Sequence, residues 1–299
     1  MTANSDSSST GRSYGVARVC RVWDYPRATF YQRREQSSRT GFQPRKRGPK
    51  TSLSDDQLLA LVRADLASSP FIGEGHRKPY ARLKFRDGVR VGKNRVLRLM
   101  RVNNLLSPRR ARRAANPHEG EIITAAPDLM WGADGTKVFT LKDGWSWVFA
   151  AVDHFNAECV GHHTCKKGDR FAALEPVGQA VQENFGSLSQ DTARGLSLRM
   201  DNGSQYLSEH FQNQLKFWGI APSYAFIEQP ETNGVVERFF RTLKEQIIYG
   251  RVYQTVEHLR EAVDKFVELY NGEWRIERLG FLSPNQARES YWTGLAKCA

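Results

Sequence analysis

The chain has 299 residues, long enough for two domains, and its 40% hydrophobic and 11% aromatic content suffices to bury a core, which excludes wholesale disorder. No run approaches about 18 uninterrupted apolar residues, so no membrane-spanning helix is expected. The polar N-terminus MTANSDSSSTGRSYG lacks the apolar stretch of a secretory signal, and four scattered cysteines (Cys20, Cys159, Cys165, Cys298) suit a reducing compartment better than a disulfide scaffold. The net charge of +12 is unevenly divided: residues 1–118 hold 26 Lys/Arg against 8 Asp/Glu, a net of +18, and residues 119–299 hold 18 against 24, a net of −6. A strongly basic half joined to a mildly acidic one predicts an electrostatic grip on nucleic acid coupled to a different task.

Residues 1–12 are Ser/Thr-rich and read as a disordered tail. From Ser13 to Arg34, Val16, Val19 and Cys20, with Val22 and Trp23, form a helical apolar face that Asp24-Tyr25-Pro26 interrupts. Pro26 suits the start of a second, basic helix carrying Ala28, Phe30 and Tyr31. Helix, tight turn and basic helix predict a helix-turn-helix-like segment over 13–52, its end a basic Pro/Gly linker. Ser54 reads as an N-cap with Gln57 completing a capping box, and the helix it opens ends near Ser69-Pro70. GEGHRKPYARLKFRDG reads as irregular or briefly helical. A basic helix follows from about Gly92 to Asn103, with Val96, Leu97, Leu99 and Met100 inward and Lys93, Arg95, Arg98 and Arg101 left available. These elements predict a helical DNA-binding domain over 53–106 and a second basic linker over 107–122.

Beyond the linker the texture turns to strands. MWGADGTKVFT, WSWVFAAVD and AECVGHHTC predict three strands, the first two joined by a turn at Lys142-Asp143-Gly144. A helix over 169–185, a strand ending at Met200, a helix over 209–218, a short strand over 223–226 and a helix over 232–248 follow. The alternation predicts an α/β domain with a mixed sheet over 123–250. A C-terminal helical extension over 251–299 contains helices near 255–270 and 284–291.

Three carboxylates stand out by position. Asp134 lies within the first strand, Asp201 where a short strand ends, and Glu237 in the first turns of a helix after Asn233-Gly234. A carboxylate in an apolar strand is costly unless paired or bound to a cation, and three converging carboxylates suit the hard ions Mg²⁺ or Mn²⁺. Two such ions could activate a nucleophile and stabilise a leaving oxygen in phosphoryl transfer. Lys244 lies two helical turns beyond Glu237, and Arg241 shares the stripe at i+4, a placement suited to holding a phosphate backbone. Arg238 is a further DNA-contact candidate, as are Lys93, Arg95 and Arg98. Cys159, His162, His163 and Cys165 have zinc-ligand chemistry. In a straight strand, however, His162 points away from the other three, so strand residues without a metal are expected. Trp131, Trp145 and Trp147 are expected in the core rather than as base-stacking platforms. Asp153 is expected to be a turn or supporting residue. Asn202 and Gln205 are expected either to orient DNA or to form a turn.

Thirty-five residues separate Asp201 from Glu237. This spacing, with WGADGT, DNGSQY, NGVVERFFRTLK, GWSWVFAAVDHFNAECVGH and YNGEWRIERLGFLSP in order, resembles the DDE transposases of bacterial insertion sequences, within the retroviral-integrase superfamily. The resemblance covers about residues 125–290, and SYGVARVCRVWDYPRATFY and KNRVLRLM are similar to the helical regions that precede the core in that family. It implies an RNase H-like five-stranded mixed sheet flanked by helices, preceded by an all-α helix-turn-helix-like DNA-binding region. It implies Asp134, Asp201 and Glu237 as metal ligands for a pair of Mg²⁺ or Mn²⁺ ions. The implied activity is cleavage and joining of DNA at element ends, with water and then a DNA 3′-hydroxyl as nucleophiles. It also implies a homo-oligomer on paired ends, fusion with or help from an upstream-frame product, and a nucleoid-associated place in the bacterial cytoplasm. The sequence departs from the family where an Arg-His pair commonly follows the C-terminal Tyr-Asn, since here Arg275 precedes Ile276. The alternatives are a DNA-binding regulator or inactive transposase remnant, and an RNase H-type nuclease that hydrolyses without joining.

Overall fold

A computed structural model describes residues 5–38, 52–107, 122, 124–224 and 233–298, with side chains to 294. The two basic linkers lie mostly outside these residues, as do the last two residues of the strand predicted over 223–226. The chain divides into a small N-terminal unit, residues 1–52, and a large unit from Leu53 onward. In the small unit, α1 (Gly15–Val22) and α2 (Arg27–Ser38) form the expected helix pair, with α2 starting just after Pro26. Residues 5–13, read as part of a disordered tail, instead close a turn through an Asp6–Ser13 bridge.

In the large unit, α3 (Asp55–Ser68) carries the predicted capping box at Ser54 and Gln57. The stretch read as irregular is α4 (Arg77–Ala81), which widens into a π-helical turn over Arg82–Arg86. α5 (Lys93–Val102) buries Val96, Leu99 and Met100 against Leu58, Val62 and Leu83, while Leu97 is only half covered. Beneath these helices the Arg82 guanidinium pairs with Asp65 at 2.8 Å and Glu74 at 2.6 Å, all three side chains buried.

The sheet comprises β1 (Met130–Thr140), β2 (Gly144–Asp153), β3 (Cys159–Cys165), β4 (Ser197–Met200) and β5 (Ala221–Tyr224), in the order β3-β2-β1-β4-β5. The β1–β2 and β2–β3 pairs are antiparallel, and β1–β4 and β4–β5 are parallel. This is the expected five-stranded mixed sheet. One face packs against α6 (Arg170–Phe185) and α7 (Glu209–Trp218) through Trp131, Phe149, Leu198, Val177 and Phe211. Close approach of α6 requires Gly161, where a Cβ would lie 1.9 Å from the Pro176 carbonyl oxygen. The other face carries α8 (Gly234–Leu243), prolonged as a π-helical turn over Lys244–Ile248, and α9 (Val256–Glu273). Their Phe239, Leu243, Leu259 and Phe266 cover Val138, Val148 and Val152. Although α9 falls in the sequence-defined extension, it supplies half of this face. The final helix, α10 (Pro284–Cys298), is tied down by Arg288, which pairs with Asp128 at 2.6 Å and Glu158 at 2.5 Å.

Two strand expectations change. A β-bulge between β2 and β3 places Cys159 opposite Val152 while Gly161 faces Ala151. The extra residue breaks alternation, so Cys159 shares the α9 face with His162, not with His163 and Cys165. His162 donates to or accepts from Asp264 there at 3.0 Å, and Cys20, Cys159 and Cys165 are free thiols. Trp131 is buried and Trp147 half-buried, but Trp145 is 62% exposed because the β1–β2 hairpin runs beyond the helix that covers its base.

Candidate catalytic site

The site forms where β4 stops beside β1. The register pairs Gly132 with Arg199, so the residue after β4, Asp201, comes alongside Asp134. Asp134 projects from the face on which α8 lies, since its partner Ala150 packs with Val236 and Phe239. It is half-buried and accepts its own neighbour's N–H, Gly135 to Oδ1, at 2.7 Å. Burial, followed by the negative charges of Asp201 and Glu237, pushes its carboxyl up to about 6, against the opposing pull of the Gly135 N–H and the Lys244 ammonium. Asp201 is exposed and shaped by an Asx turn from the Gly203 N–H at 2.9 Å. Glu237 is exposed in the first turn of α8.

Asp134 thus feels the charges of Asp201, Glu237 and Lys244, the carboxylates coming from a strand interior, a strand end and a helix start. Among the described residues, no three His, Cys, Asp or Glu side chains lie close enough to hold a metal as they stand. The donor set nevertheless fits a hard divalent cation: all oxygen, partly desolvated, and mutually repelling, with the Gly135 N–H and the Lys244 ammonium opposing.

Arg241 is exposed and makes no ion pair with Glu237 among the described residues. It lines a separate cavity of about 300 Å³ with Arg238, Lys78 and Arg278, so the i+4 stripe divides between two surfaces. Lys93 pairs with Glu277 at 2.7 Å, and Arg95 and Arg98 both hold Asp55, at 2.7 and 2.6 Å. The two guanidinium hydrogen bonds hold the Asp55 carboxyl down at about 2. These cations, read from sequence as available, are engaged: Arg95 and Arg98 because Asp55 stands in the first turn of α3, against which α5 packs, and Lys93 by Glu277. Gln205 donates to the Gly168 carbonyl at 3.1 Å, and Asn202 is exposed. Asp153 is fully buried and accepts N–H bonds from Asp128 at 2.7 Å and Phe155 at 2.6 Å, a turn-fixing role; burial pushes it up to about 6.

Three residues near the site escaped sequence reading. Asn233 donates from Nδ2 to the carbonyl of Ala133 at 3.3 Å, fastening the start of α8 beside Asp134. A Cβ on Gly132 would meet its Oδ1 at 2.6 Å and His154 Nε2 at 3.2 Å, so only glycine allows this closeness. Tyr206 is buried, and after burial the charges of Asp134 and Asp201 drive its phenol further up. The signal for all three was present, in Gly132 of WGADG, Asn233-Gly234 and DNGSQY, but a turn reading of Asn-Gly conceals a tertiary tie.

Two profiles described as integrase core domain match residues 124–230 and 218–284, and one described as HTH-like domain matches 55–113. The last falls on α3 to α5 rather than on α1 and α2. The transposase of insertion sequence element IS629 from Shigella sonnei is 25% identical over 293 residues, covering 94% of each chain. InsK of insertion sequence element IS150 from Escherichia coli K12 is 24% identical, covering 92% of this chain and 94% of its own. The HTLV-2 integrase catalytic core domain, solved in complex with magnesium, aligns at 19% identity with a TM-score of 0.42, covering 55% of this chain and 98% of its own. With paired integrase-core matches, an HTH-like domain before them and full-length transposase relatives, the chain belongs to the insertion-sequence transposases of the integrase superfamily.

Proposed function

We propose that Asp134, Asp201 and Glu237 are the catalytic carboxylates of this transposase, holding a divalent metal pair, Mg²⁺ or Mn²⁺, over a DNA phosphodiester. The observation that carries the reading is the excess of negative charge around Asp134, where two further carboxylates act on one half-buried carboxyl and, together with its burial, outweigh the Gly135 N–H and the Lys244 ammonium. By contrast, the buried acids Asp65 and Glu74 are neutralised by Arg82. The cations, when bound, supply activation of the attacking oxygen and stabilisation of the leaving one. The protein holds the three carboxylates on rigid elements, with Asn233 fixing α8 against β1. Lys244 orients the phosphate beside them.

The substrate is the element-end DNA and then a target. In the first reaction a water oxygen bonds to phosphorus and the 3′-oxygen leaves; in the second, that 3′-hydroxyl attacks a target phosphodiester and expels its 3′-oxygen. The HTH-like domain, α3 to α5, holds the DNA, with Arg238 and Arg241 contacting it from α8. Lys93, Arg95 and Arg98 join only where DNA phosphate displaces Glu277 or Asp55. The working form is a homo-oligomer that pairs two ends. Among the described residues no helix is long and apolar enough to cross a membrane.

The test is a supercoiled plasmid carrying the gene with its flanking DNA, incubated with the purified chain and Mg²⁺ or Mn²⁺. End-specific nicks and joined strands in wild type, absent in Glu237→Gln, support the assignment. Equal products from both proteins refute the triad, and DNA binding without cleavage in wild type favours a regulator. Cleavage of RNA–DNA hybrids without joining favours an RNase H-type nuclease.

A further inference from the structure

The far end of the β1–β2 hairpin carries aromatic rings that no core uses. Phe139 and Trp145 are directly opposed across the strands, 53% and 62% exposed, with ring centroids 5.5 Å apart in edge contact. Next along the same face, Lys137 lies opposite Trp147, its Nζ 4.9 Å from that ring. The loop after β3 crosses Trp147 so closely that a Cβ on Gly168 would lie 2.2 Å from it. Lys142 at the turn is exposed, as is Lys166, which reaches Asp143 at 3.3 Å. Cations therefore ring an apolar surface standing in water.

This surface lies on the α6 face of the sheet, opposite the face from which Asp134 projects. Phe139 is five residues beyond Asp134, about 17 Å along the strand at 3.4 Å per residue. The pairing of β4 with β1 ends at Gly132, so the edge of β1 past Asp134 runs on beyond β4. Gln205, four residues after Asp201, is bonded to the Gly168 carbonyl, which links the Asp201 loop to the loop covering Trp147.

We propose that Phe139 and Trp145, flanked by Lys137, Lys142 and Lys166, form a stacking platform for unpaired DNA bases on the α6 face, reached from the carboxylates past the Asp201 loop. The proposal rests on the transposase reading above. Exposed rings stack on the π-faces of bases, which a closed duplex does not offer, while lysines follow the backbone of the same strand. A grip on duplex phosphates alone has no use for two exposed rings. A twofold contact with a second copy would set Lys137, Lys142 and Lys166 near their own images, a like-charge arrangement.

The test is fluorescence anisotropy of the full chain with a labelled oligo-dT strand and with a blunt duplex of equal length. Trp145→Ala and Phe139→Ala are each expected to weaken oligo-dT binding about fivefold or more. Duplex binding and circular dichroism are expected to stay unchanged. Unaltered oligo-dT binding, or equal loss on both probes, overturns the platform. A change in sedimentation coefficient without a change in oligo-dT binding overturns it in favour of a contact between copies. Metal-dependent nicking of the element-end plasmid, run in parallel, reads the underlying function separately. Wild type that nicks while Trp145→Ala binds oligo-dT normally refutes the platform alone, whereas wild type that never nicks refutes the transposase reading.

Discussion

The large unit contains two acidic clusters that are handled in opposite ways. Beneath α3 and α4, Asp65 and Glu74 are 4% and 5% exposed, and one guanidinium, Arg82, spans both with four short hydrogen bonds and a fifth at 3.1 Å. Beside β1, Asp134 is less deeply buried, yet two more carboxylates act on it, opposed by the Gly135 N–H and the half-buried Lys244. Removing charge from water demands compensation. The first cluster carries its compensation within the fold; the second, on the function proposed above, is compensated by the metal ions it binds. On that proposal the difference separates acids that hold a structure from acids that perform chemistry.

The largest effect expected from breaking this contrast lies at the uncompensated cluster. Glu237→Gln or Asp201→Asn should lower strand cleavage and joining about 10³-fold or more, because a metal-held transition state supplies several kcal/mol. Both side chains are exposed, so folding and DNA affinity should hold; retained cleavage would remove the cluster's catalytic role. Next is the compensated cluster. Arg82→Ala strands two buried carboxylates and should cost about 3–5 kcal/mol in urea unfolding. Combining Arg82→Met with Asp65→Leu and Glu74→Leu should recover most of that, since replacing a whole buried ion network is often neutral.

A third prediction reads the Asp134 carboxyl directly. Its pKa rises on folding from 3.8 to about 6, so the folded state binds the proton more tightly. This contribution is therefore destabilising above about pH 6, shrinks as pH falls, and is gone below the unfolded value. Asp134→Asn should be about 1–3 kcal/mol more stable than wild type at pH 7, the gain vanishing near pH 4. Wild type should be stabilised by added Mg²⁺ and Asp134→Asn much less. Thermal melts at the two pH values, with and without Mg²⁺, check both signs, and a variant less stable at pH 7 would contradict the repulsion argument.

Chemistry was more legible in the sequence than partnership. Alternation and turn residues located β1, β2 and β3, and the 35-residue interval singled out Asp201 and Glu237 as candidates, because these signals are local or reside in residue identity. The bulge at Val160 was not legible, since an extra residue in a strand leaves no mark in composition, and it reversed the face assigned to Cys159. Trp145 reads as core by type, yet which end of a hairpin a helix covers is a tertiary fact. The same holds for cations. Helical spacing indicated that Lys93, Arg95 and Arg98 avoid the core, but their partners Glu277 and Asp55 lie 184, 40 and 43 residues away. Asn233 was visible as a turn residue and invisible as the tie to Ala133.

The smallest predicted effect tests which cations serve the fold and which serve DNA. Arg98 is half-exposed and spends its charge on Asp55, whereas Arg241 is exposed beside Arg238 and away from Glu237. Neither substitution to Ala should change stability by more than about 1 kcal/mol, since exposed ion pairs contribute little. Their effects on DNA should separate. Arg241→Ala should reduce the slope of log affinity against log salt by about 0.9, the value of one lost phosphate contact on duplex DNA. Arg98→Ala should leave the slope unchanged if Asp55 keeps that guanidinium during binding. If instead both variants lower the slope equally, then Asp55 releases Arg98 to phosphate when DNA arrives, and the ion pairs of α3 and α5 are a resting arrangement that the DNA backbone replaces.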